Sequence, residues 1–456
     1  METAFNKSEG SKVTECISDS LSLFEKPYQE TSIDRTFYSV YTPQNALSDT
    51  SNSIHFNIPM CEENLDLNES FYKVAVKITQ KDGKNLEKFT APGNDGKGNS
   101  VGLSNLGASS LFSNILIRVG SELISDSYST YPFLCFFSVI FNYTKAARDS
   151  LLSIAGYQDE KQFANRADDA APNSSFKTLA SSTSESQTIT LVSGIYHGLF
   201  NQSRYLPPLL PLSITFLKSE NAFALTSNAA TPEFKYEIVS LELHIKKIVL
   251  RSSVKLQQET RILKQPALFP IRSASVKPFF ISKEAKSASF ENIFPGNTIP
   301  NLVIVGFLPQ SQFRGNWSSP FQFLDHSLTS LKITVDSQVY PTPNGYILDY
   351  ATDSKKKDWS EAFLSLFYHQ TKLNQERICN YDEYPKGHCL YTFSLGHEEP
   401  TASDHFSVKR LASGARLHCE FSSTSTNEAL VCLIYSECQS MIEIDGDRRC
   451  TRDFYL

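Results

Sequence analysis

The nine histidines, the usual source of metal ligands and general bases, are His55, His197, His244, His326, His369, His388, His397, His405 and His418. None falls in an HExxH run and none is two residues from another, so no short spacing brings two imidazoles onto one ion. Isolated strand histidines such as His197 and His244 read as packed or solvated side chains. The nine cysteines are Cys16, Cys61, Cys135, Cys379, Cys389, Cys419, Cys432, Cys438 and Cys450. Their number is odd and no CxxC pair occurs. In a large intracellular chain they read as reduced, mostly packed thiols. Cys379 and Cys389 bracket the loop CNYDEYPKGHC, with His388 beside Cys389. A structural zinc site needs four ligands in short, paired spacing, which this loop lacks. The glycine-rich run 92–100 (PGNDGKGNS) fails as a phosphate loop, because Ala91 stands at the first glycine position and Gly98 at the magnesium-binding Ser/Thr position. No GxSxG elbow is present. The expectation is a chain with no catalytic residue, no metal and no cofactor.

Charge points the same way. Lys plus Arg is 43 against 49 Asp plus Glu, a formal charge of −6, which argues against a dedicated nucleic-acid binder. Three basic clusters are local: Lys246, Lys247 and Arg251; Lys355, Lys356 and Lys357; Arg448, Arg449 and Arg452. Each reads as a solvated face or helix flank. The last set, if it faced packaged DNA, would give only weak, salt-sensitive contact.

The elements that would carry any site are mostly short strands. A chain of 456 residues suggests two or three domains. Phe (32) and Tyr (20) are abundant, which suits pleated, half-buried surfaces. Residues 1–15 hold no apolar stretch, so no signal peptide is expected. The most apolar run, Tyr131–Tyr143, is too short to span a bilayer, so no stable membrane insertion is expected. The sequons at Asn6, Asn68, Asn142, Asn173, Asn201 and Asn316 then read as chance in a Ser-rich chain. Ile17, Leu21 and Phe24 stand at i, i+4, i+7 before Pro27: either a short docking helix or an unstructured arm.

Ser53–Ile58 alternates in polarity, and Phe71–Thr79 does so more regularly, with Tyr72, Val74, Val76 and Ile78 on one side. Asn114–Val119, a turn at Gly120-Ser121 and Glu122–Ser125 form a hairpin. A helix follows over Tyr131–Arg148, then a long polar stretch over 158–186. Thr188–His197, Pro211–Leu217 and Phe234–Leu250 are strands, and 251–270 is a connector. The pattern then restarts: Ser275–Ile281, Asn301–Phe307, Ser330–Val335, Val339-Tyr340, a helix over Asp358–Lys372, then Cys389–Ser394, Ala415–Phe421 and Ala429–Glu437.

That restart is informative. NILIRVGSEL at 114–123 resembles SLKITVDSQV at 330–339, an offset of 216 residues. Each is followed by an aromatic-rich helix, Phe133–Phe141 or Trp359–Phe367. ITFLKSENAFAL at 214–225 resembles CEFSSTSTNEAL at 419–430, an offset of 205. Either generic hairpins coincide, or the domain is duplicated. Duplication gives an all-β chain of two tandem eight-stranded jelly-roll sandwiches, each with a short helix. The enzymes of that fold, the cupins, need clustered His and Glu, which are missing.

Further residues carry a family likeness. LFEKPYQETSI at 23–33 has an apolar pair, a Pro turn and Gln-x-Thr-Ser-Ile. FYKVAVKIT with KDG, NILIRVGSELISDS with TYPF, and YLPPLLPLSITFLKSENAF at 205–223 follow in order. So do PIRSASVKPFFIS at 270–282, NIFPGNTIPNLVIVGF at 292–307, SDHFSVKRLASGARLHCEF at 403–421 and IEIDGDRRC at 442–450. Over residues 20–450 this succession resembles the major capsid proteins of Polinton (Maverick) elements and adintoviruses. The resemblance implies a double jelly roll: an N-terminal arm over 1–35, a first jelly roll over 36–255, and a second over 256–456 ending in a tail. It implies homotrimers of pseudo-sixfold outline, trimer–trimer contacts, a minor capsid or penton partner, and a place in an icosahedral virion shell. It brings no catalytic residues. The alternative is a jelly-roll module that binds a carbohydrate or receptor.

Overall fold

Strands dominate because the apolar residues recur every second position and bury one face. The computed structural model describes residues 30–47, 51–88, 101–126, 128–159, 174–227, 229, 231–296, 298–351, 357–368, 379–396, 409–422 and 428–453. The arm residues Ile17, Leu21 and Phe24, the glycine run 92–100 and most of the polar stretch lie outside these.

Sixteen strands form the main ladders. The first eight are β1 (Ile33–Tyr41), β2 (Ser53–Ile58), β3 (Asn64–Gln80), β4 (Phe112–Val119), β5 (Glu122–Leu123), β6 (Ile189–Gly194), β7 (Leu212–Lys218) and β8 (Phe234–Leu250). They make two antiparallel sheets, ordered β1-β8-β3-β6 and β2-β7-β4-β5. The second eight are β9 (Ala267–Ile281), β10 (Ser287–Glu291), β11 (Leu302–Pro309), β12 (Leu328–Val335), β13 (Gln338–Tyr340), β14 (Leu390–Ser394), β15 (Ala415–Phe421) and β16 (Leu430–Ile444). Their sheets run β9-β16-β11-β14 and β10-β15-β12-β13. Both halves thus follow one rule: first-eighth-third-sixth facing second-seventh-fourth-fifth. This is the jelly roll, twice, and the chain is a double jelly roll. The two hairpins that resemble each other are the fourth and fifth strands of each barrel.

A helix lies between the fifth and sixth strands of each barrel: α1 (Tyr131–Asn142) in the first, and, in the second, Ser360–Tyr368. The first of these stops earlier than Arg148. Tyr143 is extended, and Thr144 caps a separate helix at Lys145–Ser150 by accepting from the Ala147 N–H. The connector contains another helix, α2 (Ser252–Ile262), so the expected boundary at 255/256 falls inside it. Strand β1 begins at Ile33, two residues before the expected end of the arm. The polar stretch also holds a helix, Ser174–Ser182, with Phe176, Leu179 and Ala180 buried. The helix of the second barrel is α3 hereafter.

A seventeenth strand, β17 (Cys450–Asp453), pairs with Met441–Ile444. In the first barrel the corresponding end of β8 pairs with Asn64–Asp66 of the longer β3. The C-terminal hairpin therefore completes the second barrel's shorter third strand.

The outer face of β9-β16-β11-β14 is covered at close range. Gly306 on β11 has no room for a side chain: a Cβ there would lie 2.6 Å from the Phe323 ring. Gly306→Ala is expected to push Phe323 out of place and cost about 1–3 kcal/mol, read as a lower urea midpoint with unchanged slope. An unchanged midpoint would contradict this packing.

Candidate assembly surfaces

Helix α1 is apolar all round because two barrels enclose it. Tyr131 and Cys135 join the first barrel's core. Phe133, Phe136, Phe137 and Ile140 join the second's. Phe136 stacks on Phe321 with centroids 4.5 Å apart and planes 3° apart. Phe133 stacks on Phe313 at 5.7 Å, and Phe137 meets Phe323 and Tyr435 at 5.6 Å each. The interlock is mutual, for Phe269, Ile271, Ile442, Ile444 and Cys450 belong to the first barrel's core.

Polar contacts seal the same seam. Arg452 Nη1 donates to the Ile124 carbonyl (2.7 Å) and Nη2 to Ser273 Oγ (2.5 Å), with Asp126 4.0 Å away. Arg204 donates to the Leu268 carbonyl at 2.7 Å. Gly198 lies so near β9 that a Cβ would sit 2.4 Å from the Arg272 carbonyl oxygen. Among these groups lies a cavity of about 30 Å³, bordered by His197, Asp126 and Arg452. It has room for a water, not a substrate.

His197 is neutral in this seam. Its Nδ1 accepts from the Leu199 N–H and its Nε2 donates to the Ile124 carbonyl, each at 3.1 Å. Burial, then the Arg452 charge, lowers its pKa to about 4. Burial lowers His388 to about 4 as well. Both folded values lie below the ordinary 6.5, so the unfolded chain takes up these protons first. Stability is full above about pH 6.5 and falls as pH drops towards 4. Burial lowers His326 as well, so Asp126, raised by burial, opposes this with one proton against those of three histidines. The melting temperature is expected to fall steadily from pH 7 to pH 4.5; a flat profile to pH 5 would contradict the neutral seam.

The other sequence candidates take structural places. Cys389 is buried, its thiol donating to the Tyr384 carbonyl, and burial raises its pKa well above the usual range. The eight described cysteines are free thiols, and all but Cys61 are buried. Among the described residues, no three His, Cys, Asp or Glu side chains gather as a metal site. Lys246 pairs with Glu69 and Asp66, and Lys247 with Glu63. Lys355 and Lys356 lie outside the described residues. The C-terminal arginines differ from the solvated face expected of them. Arg448 bonds Glu259 of α2 at 2.6 Å, Arg452 is in the seam, and only Arg449 is exposed. Arg448 and Arg452 are local in sequence but pair with residues 189 and 328 positions away, which no short-range pattern reveals.

The surfaces differ between barrels. On β16 the outward residues Val431, Leu433 and Tyr435 are buried. The matching face of the first barrel is open among the described residues: Val239 on β8 is 51% exposed and Val40 on β1 is 53%. Tyr38, Phe71 and His244 lie beside Val40, with Phe71 stacked on His244 at 4.7 Å and tilted against Tyr38 at 5.7 Å. Lys73 and Glu242 form a charged pair across the two central strands of this face.

With this geometry, the relatives can be read. No family model matches the sequence. An uncharacterised Caenorhabditis elegans protein, F54H12.2, is 22% identical over 350 residues, 74% of this chain and 78% of that one. Among solved structures, a chain of the Sputnik virophage has a TM-score of 0.63 at 11% identity, covering 98% of this chain and 94% of its own. The mavirus major capsid protein has a TM-score of 0.51 at 11% identity, covering 98% and 96%. At these identities the likeness is one of fold, and it runs the whole length of both barrels.

Proposed function

We propose that this chain is the major subunit of an icosahedral capsid, of the Polinton and adintovirus kind, and that it acts by assembly rather than catalysis. The observation that carries this reading is the exact repetition of strand order in two barrels fused through α1, in a fold shared end to end with viral capsid chains. Two similar barrels per chain give three chains a pseudo-sixfold outline. An arm over 1–35, a first barrel over 36–255 and a second over 256–456 are the working units. Trimer contacts are large and apolar, as obligate interfaces are. Trimer–trimer contacts and those to a penton partner are smaller and more polar, so the shell can correct errors. Contact with packaged DNA is weak, with Arg449 as the exposed charge. Electron microscopy of the concentrated protein tests this: hexagonal particles or closed shells are expected, and isolated two-barrel particles at every concentration would refute it.

A second reading has one observation in its favour. Trp359 is stacked between Tyr350 (5.6 Å) and Tyr381 (5.3 Å), and Tyr381 is exposed beside Asp382. Such a rigid aromatic platform suits a sugar face. A thermal shift with simple saccharides, in a protein that stays monomeric, would favour that module instead.

A further inference from the structure

Both barrels place a helix between their fifth and sixth strands, yet among the described residues only one of the two is covered. On α1, Phe136, Phe137 and Ile140 lie in the second barrel's core, while Cys135, one position earlier, packs in its own. On α3 the same spacing carries Phe363, Leu364 and Phe367, while Ala362, one position earlier, packs in its own barrel. Leu364 is 43% exposed, Phe363 and Phe367 are half-buried, and the adjoining Tyr381 is exposed. The sheets show the complementary imbalance. The outer face of β9-β16-β11-β14 lies under α1 and Phe323. Among the described residues, no element covers Tyr38, Val40, Phe71 and Val239 on the outer face of β1-β8-β3-β6 in this way.

We infer that α3 of one copy docks on the outer face of sheet β1-β8-β3-β6 of a second copy, repeating between chains the contact that α1 makes within one. The occupant is a second copy of this chain, because the duplicated topology supplies both halves of the contact. The two surfaces differ, so the interface is heterologous and propagates head to tail until rotation closes a ring. Three chains, each with one internal and one intermolecular joint, place six barrels round that ring. The open sheet face also carries Lys73, Glu237 and Glu242 on its two central strands, which keeps it soluble before assembly.

This inference rests on the trimer reading, and the test separates the two. Wild type, Leu364→Glu and Val40→Glu are compared by light scattering at equal concentration, with thermal melts to show folding. Wild type is expected at three times 51.2 kDa, about 154 kDa, and each folded variant at 51.2 kDa. An equimolar mixture of the variants is expected at two chains, because one intact helix face meets one intact sheet face. Val40→Glu decides the matter should Leu364→Glu fail to fold. A trimeric wild type whose variants also remain trimeric overturns these surfaces and leaves the trimer standing. Monomeric variants whose mixture never forms a two-chain species overturn the head-to-tail pairing. A monomeric wild type overturns the trimer and this inference together.

Discussion

Phe137→Ala is expected to lower the unfolding free energy by about 3–5 kcal/mol, a large part of the stability of an ordinary domain. Phe137 is fully buried and fills a space bounded by Phe136, Phe323 and Tyr435. Those neighbours belong to different elements of different barrels, so they cannot collapse together into the void. The loss therefore includes a cavity term as well as the lost transfer energy. Phe137→Leu keeps most of the volume and should cost about 1–2 kcal/mol. Because each barrel lends residues to the other's core, calorimetry of wild type should show one transition. Two well-separated transitions, with only one of them moved by Phe137→Ala, would mean that the barrels fold independently of α1.

Arg452→Ala is expected to cost about 3 kcal/mol, since it removes two hydrogen bonds from a charged donor and leaves a partly buried carboxylate unpaired. The side chain ties β17 to Ile124 of the first barrel and to Ser273 of the second. Arg452→Lys should recover little, because a single ammonium does not span both acceptors as the guanidinium fork does. Arg449→Ala, three residues away and exposed, should stay within about 0.5 kcal/mol of wild type. The comparison is made by urea unfolding of all three variants. Equal losses at positions 449 and 452 would contradict the seam.

What the sequence made legible follows from the range of the forces involved. Alternation in Ser53–Ile58 and in Tyr72–Ile78 marks one buried face, and Ile54, Phe56, Ile58, Tyr72, Val74, Val76 and Ile78 are buried in the structure. The repeated hairpins were legible because turn chemistry and alternation are both local. Strand β1 was missed because IDRTFYSVY is an edge strand with little burial on either face. The helix α2 was missed because, of its residues, only Ile262 is buried, so no apolar stripe exists to read. Pro270 looked like the end of a connector, yet β9 is an edge strand, where a missing N–H is tolerated. A helix beginning at Tyr131 was readable, over Tyr131–Arg148, but its role between the barrels was not. That role depends on Phe321, Phe323 and Tyr435, hundreds of residues downstream. Arg448 and Arg452 looked like a solvated tail for the same reason.

The most direct measurement is the mass of the purified full chain by light scattering after size exclusion. Assembly through two fused jelly rolls predicts a stable species of about 154 kDa, three times 51.2 kDa, that persists on dilution. A single species of 51.2 kDa at high concentration would contradict a capsid role for this chain.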